Sequence, residues 1–149
     1  MAVKPLPDGY HSITPSICIE NCAQAIDFYK RVFGAEERMR MLDQSGAVAH
    51  AELKMGDSVF MLSDPMPGMK KNTMSVVFYT KDCDAFIRRA VEGGCAEKLP
   101  VTNMFWGDRA GSVADPFGNN WFIATHVEDV PAAEMERRMR TATPAGARA

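Results

Sequence analysis

The chain has 149 residues, enough for one domain with a core of its own and too few for two large ones. With 46% hydrophobic and 24% charged residues its composition is that of an ordinary globular protein, and a formal charge of -2 gives no field to hold nucleic acid or an anionic membrane. No segment approaches the roughly 18 uncharged apolar residues of a membrane span, and the opening MAVKPLPDGY has two prolines and no apolar run, so the expectation is a cytoplasmic protein with neither membrane nor nucleic acid as partner.

In chain order, residues 1–10 read as an N-terminal arm. "ITPSICIE" (13–20) is short, β-branched and alternating, which predicts a strand. In "NCAQAIDFYKRVFG" (21–34), Cys22, Ala25, Ile26, Tyr29 and Phe33 recur at spacings of three and four, with Asn21 placed to cap and Gly34 to stop. This predicts a helix with one apolar stripe. Residues 36–43, 46–55 and 58–63 follow as antiparallel strands separated by Gln-Ser-Gly and Gly-Asp turns, although Glu, Arg and Met in the first favour helix as much as strand. "DPMPGMKKN" (64–72), with two prolines, a glycine and a lysine pair, is a linker. Next come a strand "TMSVVFYTK" (73–81), a helix "DCDAFIRRAVEGG" (82–94), and strands "CAEKLPVT" (95–102), "FWGDRAGSVAD" (105–115) and "GNNWFIATHV" (118–127). Residues 128–149 form a tail rich in Ala and Arg, with a helical turn or two from residue 131.

Cys18, Cys22, Cys83 and Cys95 lack CxxC spacing, which argues for small buried hydrophobes over a disulfide framework or zinc knuckle. Eleven methionines suit an adaptable, apolar interior.

The two halves repeat. Cys22 matches Cys83, Ile26 matches Ile87, and Ala35-Glu36 match Ala96-Glu97, all 61 positions apart (83 − 22 = 61), and Gly34 and Gly94 close both helical segments. Further on, Gly46, Val48 and Ala49 match Gly111, Val113 and Ala114 at 65, and Gly56 and Phe60 match Gly118 and Phe122 at 62, a drift that small loop insertions explain. Each copy reads strand, helix, then three strands, so the fold class is α+β, built of two βαβββ modules over residues 11–63 and 73–127.

Two such units, with "AIDFYKRVFGAE" in the first and "VADPFGNNWFIATH" closing the second, resemble the glyoxalase/bleomycin-resistance/extradiol-dioxygenase superfamily, the vicinal oxygen chelate proteins, and within it the PhnB-like branch. The resemblance spans about residues 11–127. It implies mixed sheets curved into a U, a cavity enclosed by paired units, and a homodimer, for which unpaired edge strands give a physical motive.

Metal-using members of that superfamily carry His or Glu at the start and in the last strand of each unit, and the bound ion polarises substrate oxygens. The corresponding positions here are Thr14, Met61, Ser75 and Phe122, none a competent ligand for a divalent ion, and a shift by one residue does no better. No cofactor is therefore expected, with a divalent metal remaining open if the site is relocated. His50 and Glu52 lie two apart on one strand and share a face, as a ligand pair, a proton carrier, or a wet strand face with a salt bridge would. His11 and His126 lie near strand ends, where capping or surface roles are the plain alternative, and His126 joins His50 and Glu52 as the first positions to test if a bulge shifts the alignment.

"FWGDR" (105–109) has no counterpart in the first unit, whose corresponding residues read "MLDQS". An indole beside a carboxylate and a guanidinium offers stacking and a bidentate anion grip; alternation puts Trp106 and Asp108 on one face and Arg109 on the other unless a bulge at Gly107 turns them together. An internal ion pair or hairpin brace is the competing role for Asp108-Arg109. Asp115-Pro116-Phe117-Gly118 is a turn signature and structural. Of Trp121 and Phe122, one aims at the helix layer and the other at the cavity.

No Ser-His-Asp spacing, phosphate loop, GxGxxG or HExxH is present. The preferred reading is a small-molecule binding protein that sequesters a ligand or drug in a cavity lined by Thr14, Met61, Ser75, Trp106 and Phe122, with Arg109, Asp108, His50 or Glu52 as polar anchors. The alternative is a lyase, isomerase or dioxygenase of the same superfamily with a relocated site, for which His50 and Glu52 are the catalytic candidates.

Overall fold

The computed structural model describes residues 3–142. Two four-stranded, open and curved mixed sheets form, each the product of one βαβββ run. In the first half the elements are β1 (Ser16–Cys18), α1 (Cys22–Phe28) continuing into a π-helical turn (Tyr29–Phe33), β2 (Glu36–Leu42), β3 (Val48–Met55) and β4 (Ser58–Ser63). The second half has β5 (Ser75–Tyr79), α2 (Cys83–Glu92), β6 (Ala96–Asn103), β7 (Asp108–Ala114) and β8 (Asn120–His126). The strand orders β1-β4-β3-β2 and β5-β8-β7-β6 are the same, with the first strand of each half parallel to the last and the other pairs antiparallel. A third helix, α3 (Ala132–Thr141), exceeds the turn or two expected for the tail; residues 143–149 of that tail lie outside the described residues.

Both helices cover the same side of their sheets, and one core runs through both halves. Phe33, at the end of the π-helical turn, lies 4.9 Å from Trp121 and 5.2 Å from Phe86, and Phe28 lies 5.7 Å from Phe117, all ring to ring. At the joint, Asp115 accepts bonds from the Tyr29 hydroxyl (2.5 Å), the Trp121 indole (2.9 Å), the Asn119 amide and two backbone N–H groups of its own turn. The DPFG segment is thus structural, as its sequence indicates, but its carboxylate also welds the first helix to the second sheet. Burial and this carboxylate push the Tyr29 hydroxyl far above its ordinary pKa, so the phenol stays a donor.

The repeat is tighter than its sequence suggests. Cys22 N–H bonds the Asp64 carboxylate and Cys83 N–H the Thr125 hydroxyl, while Ile19 N–H bonds Ser63 O and Thr80 N–H bonds Ala124 O, all four pairs 61 apart. The turn before the third strand also repeats at 61: Asp43 N–H bonds Ala47 O as Met104 N–H bonds Asp108 O, with Gly46 at φ +86° and Gly107 at φ +101°. The matches at 65 and 62 are therefore corrected. Gly46 corresponds to Gly107 and not to Gly111, the counterpart of "FWGDR" is "QSGAV", and Phe60 faces the core where Phe122 faces the opposite side. Single-residue slips come from bulges in the sheets and from the π-helical turn, in which Ala35 N–H reaches back to Tyr29 O where Cys95 N–H reaches only to Ala90 O.

Three local expectations change. Asn21 does not cap: it sits in the left-handed region (φ 58°) and its side chain makes no cap bond, because Asp64 takes the first helical N–H instead. β1 is three residues long, shorter than "ITPSICIE". Phe105, Trp106 and Gly107 form the turn before β7 and not its beginning.

Candidate functional site

The side of each sheet away from the helices is the open side. Register and alternation place Ser16, Met61, Glu52, His50, Met39 and Met41 there in the first half, and Ser75, Val77, Tyr79, Phe122, Ser112 and Asp108 in the second. Several apolar side chains on these faces are bare, with Val77 and Tyr79 each 59% exposed and Met41 55%, while Met61 and Phe122 are half-buried.

In the second half, Tyr79 (β5), Trp106 (the turn before β7) and His126 (end of β8) surround Asp108, and Phe122 lies beyond the Trp106 ring. The Asp108 carboxylate is only 3% exposed and accepts the Trp106 Nε1–H (2.9 Å) and Tyr79 hydroxyl (3.0 Å) on one oxygen and His126 Nδ1 (2.8 Å) on the other. Burial works against its charge, but the bonds from His126, Trp106 and Tyr79 outweigh it and hold the carboxyl below its usual range. The other ring nitrogen of His126 meets Asp129 at 2.9 Å, and Asp129, then Asp108, raise the imidazole's pKa. The Trp106 and Phe122 rings lie 6.4 Å apart and 34° from parallel. The turn carrying Trp106 is locked from behind: Val127 and Glu128 both donate to Gly107 O.

The expected alternation holds for Trp106, Asp108 and Arg109. Arg109 faces the helix side, where it grips Asp84 of α2 through two bonds of 2.6 Å and reaches Asn103 at 3.2 Å. This ties the start of α2 to β7 and draws the Asp84 carboxyl below its ordinary pKa.

In the first half, His50 and Glu52 come together at 3.3 Å on the open face, next to Met61, which pairs with Glu52 in the ladder. A bulge at Ala49 separates His50 from the Val48 register. Tyr10 from the N-terminal arm lies beside Glu52, and their pairing raises the phenol's pKa and lowers the carboxyl's, while Arg38 stacks over the Tyr10 ring at 4.8 Å. Thr14 sits in the arm before β1, its hydroxyl on His11 O at 3.5 Å, and His11 itself meets Asp57 O at 3.1 Å. Between the two sheets the arm helps to line an apolar cavity of about 280 Å³ with Val59, Val77 and Trp121. A larger concavity, about 1080 Å³, lies on the helix side between α1 and the Pro116–Gly118 turn, but its rim of Glu20, Asp27, Arg31 and Lys71 is a solvated one.

Thr14, Met61, Ser75 and Phe122, the positions at which the resemblance implies ligands, offer no imidazole or carboxylate for a divalent ion. His126 lies on the other sheet from His50 and Glu52 and is bonded to Asp108 and Asp129. Among the described residues no three His, Cys, Asp or Glu side chains converge as a metal needs.

Sequence reading missed Tyr10, Arg38, Val77, Tyr79 and Asp129. Val77 and Tyr79 share the parity of Ser75 and were within reach of the period-of-two rule; Tyr10 and Asp129 are loop residues with no such signal.

The profile described as Glyoxalase/Bleomycin resistance protein/Dioxygenase superfamily matches residues 10–123. The chain belongs to this superfamily. It is 32% identical over 139 residues to the uncharacterized protein Mb0911c of Mycobacterium bovis, covering 86% of this chain and 91% of that one. Among solved structures it resembles TioX from Micromonospora sp. ML1 (TM-score 0.67, 22% identity, 78% of this chain and 99% of the other). It also resembles TnmS3, an antibiotic binding protein from Streptomyces sp. CB03234 (TM-score 0.62, 24% identity, 85% and 98%). At these identities the likeness shows a shared fold. No helix among the described residues is long and apolar enough to cross a membrane.

Proposed function

We propose that this superfamily member binds a flat, largely apolar small molecule on the open face of its second sheet and sequesters it there without chemistry. The observation that carries the reading is the aromatic surface formed by exposed Tyr79 with half-buried Trp106 and Phe122, on a sheet whose other face packs against the core. Of the expected cavity residues, Thr14, Met61 and Ser75 do not line the apolar cavity between the sheets; His50 and Glu52 remain the candidate polar anchors, and Arg109 and Asp108 are already committed to internal partners. The description of TnmS3 as an antibiotic binding protein supports the same class of ligand. A second copy of the chain closes the bare face, giving a homodimer, and the protein is a cytoplasmic, PhnB-like member.

The test is a fluorescence and thermal-shift titration of the purified protein with polycyclic aromatic antibiotics. Saturable binding that raises Tm and quenches Trp106 is expected, and Trp106→Ala or Phe122→Ala should weaken it by about 1–3 kcal/mol. Absence of binding, or binding indifferent to both substitutions, overturns the reading. Sedimentation of the free protein tests the dimer.

A further inference from the structure

We propose that Asp108 is a positioning residue: it holds the polar edges of Tyr79, Trp106 and His126 so that only ring faces meet the ligand, which makes polycyclic aromatics, whatever their hydroxyl pattern, the class recognised. This deepens the ligand-binding reading and rests on it.

Three donors from three separate elements converge on one buried carboxylate: the phenol from β5, the indole from the turn before β7 and the imidazole from β8. Aromatic residues usually offer a ligand a polar handle as well as a face. Here the handles are spent. The indole N–H, the phenol O–H and imidazole Nδ1 all engage Asp108, and imidazole Nε2 engages Asp129. What remains toward the open side is π surface, supplemented by Phe122, so affinity comes from stacking and dispersion, which tolerate changes in substituents. The charged or titratable groups facing Asp108 are Tyr79 and His126, with Asp129 behind the latter.

None of these residues belongs to the repeated scaffold. Subtracting 61, the positions of Tyr79, Trp106, Asp108 and His126 hold Cys18, Ser45, Ala47 and Pro65 in the first half. Not one of the four repeats, whereas the scaffold contacts around them do.

The experiment compares wild type, Asp108→Asn and Tyr79→Phe with two probes, pyrene-1-sulfonate and 8-hydroxypyrene-1-sulfonate, together with NMR of the His126 ring and the Trp106 indole N–H. Wild type should bind both probes within about threefold of each other, and Asp108→Asn should weaken both by about tenfold. The same variant should lower the His126 titration midpoint and speed Trp106 indole N–H exchange by about tenfold, while Tyr79→Phe, which keeps the ring, weakens the probes by about threefold or less. An unchanged His126 midpoint and unchanged indole exchange in Asp108→Asn overturn the positioning role even if neither probe binds, an outcome that by itself counts against the ligand-binding reading alone. A preference of about tenfold or more for the hydroxylated probe overturns recognition by ring faces. If Asp108→Asn fails to fold, Tyr79→Phe decides: it should speed indole exchange measurably, and no change overturns the proposal.

Discussion

The helix sides of the two halves are near copies, while their open sides have little in common. On the helix side, the same backbone bonds recur 61 residues apart, and each helix begins on a side chain at the end of the last strand of its half, Asp64 just past β4 or Thr125 near the end of β8. On the open side, the first half carries methionines and a Glu52 cluster reached by the N-terminal arm, whereas the second carries a partly exposed aromatic wall beside Asp108. The contrast teaches that the core constrains one face, because every buried donor there needs its partner, and leaves the other free to diverge. Specialisation shows as departure from the repeat.

The halves also differ at their last hairpin, where the Gly56-Asp57 turn of the first is replaced by the longer Asp115–Asn119 loop. Asp115→Ala breaks the comparison at its most expensive point. It strands the Tyr29 hydroxyl, the Trp121 indole and the Asn119 amide in the core, and should cost about 3–5 kcal/mol, read as a large drop in the urea midpoint. Asp57, exposed in the equivalent turn, should tolerate alanine within about 0.5 kcal/mol.

Gly107 and Gly46 provide a second paired test. Both have positive φ, but a Cβ at Gly107 would lie 2.0 Å from Glu128 O and 2.9 Å from Val130, whereas at Gly46 nothing lies within 4 Å. Gly107→Ala should cost about 2–4 kcal/mol and Gly46→Ala about 1–2 kcal/mol, compared by denaturant unfolding. A Gly107→Ala cost no greater than that at Gly46 refutes the locking of the Trp106 turn by residues 127–130.

The two helix anchors should differ less. Asp64 accepts both Cys22 N–H (3.0 Å) and Val48 N–H (2.8 Å), and α1 has no cap of its own. Thr125 accepts only Cys83 N–H, and α2 is also capped by Asp82 on Ala85 N–H. Asp64→Ala should therefore cost about 2–3 kcal/mol and Thr125→Ala about 1 kcal/mol. Equal costs sink the account of why Asn21 does not need to cap.

Much of the scaffold was legible and much of the site was not, for separable reasons. Apolar spacing in Cys22–Phe33, the Gly34 stop and the DPFG turn are local signals, and they placed the elements and their duplication. The register of the repeat was misread after the helices, because Gly, Val and Ala recur often enough in strands to align at 65 by accident, while the bonds that set the true offset lie in the backbone. Asn21 looked like a cap because a residue 43 positions later does the capping (64 − 21 = 43), which no local window contains. The Asp108 cluster draws one residue each from β5, a turn, β7 and β8; only the Trp106-Asp108 pair lies close enough in sequence to be noticed.

The smallest effect is the pH dependence at His126, which has no counterpart in the first half, where Pro65 stands. Asp129 and then Asp108 raise the imidazole's folded-state pKa above its ordinary 6.5. A raised pKa means that the charged ring stabilises the fold fully below the unfolded value, and that this contribution disappears as pH rises through the folded value. Thermal unfolding followed upward from about pH 6 should show a loss of Tm in wild type that His126→Gln removes. The two carboxylates should separate with salt. Asp129 is fully exposed and its share should shrink in about 0.5 M NaCl, whereas buried Asp108 should keep its hold, because screening acts on solvated charges far more than on buried ones. A pH slope abolished by salt alone would place the coupling entirely at Asp129, and the second half would then lack the electrostatic link between ring and core that distinguishes it from the first.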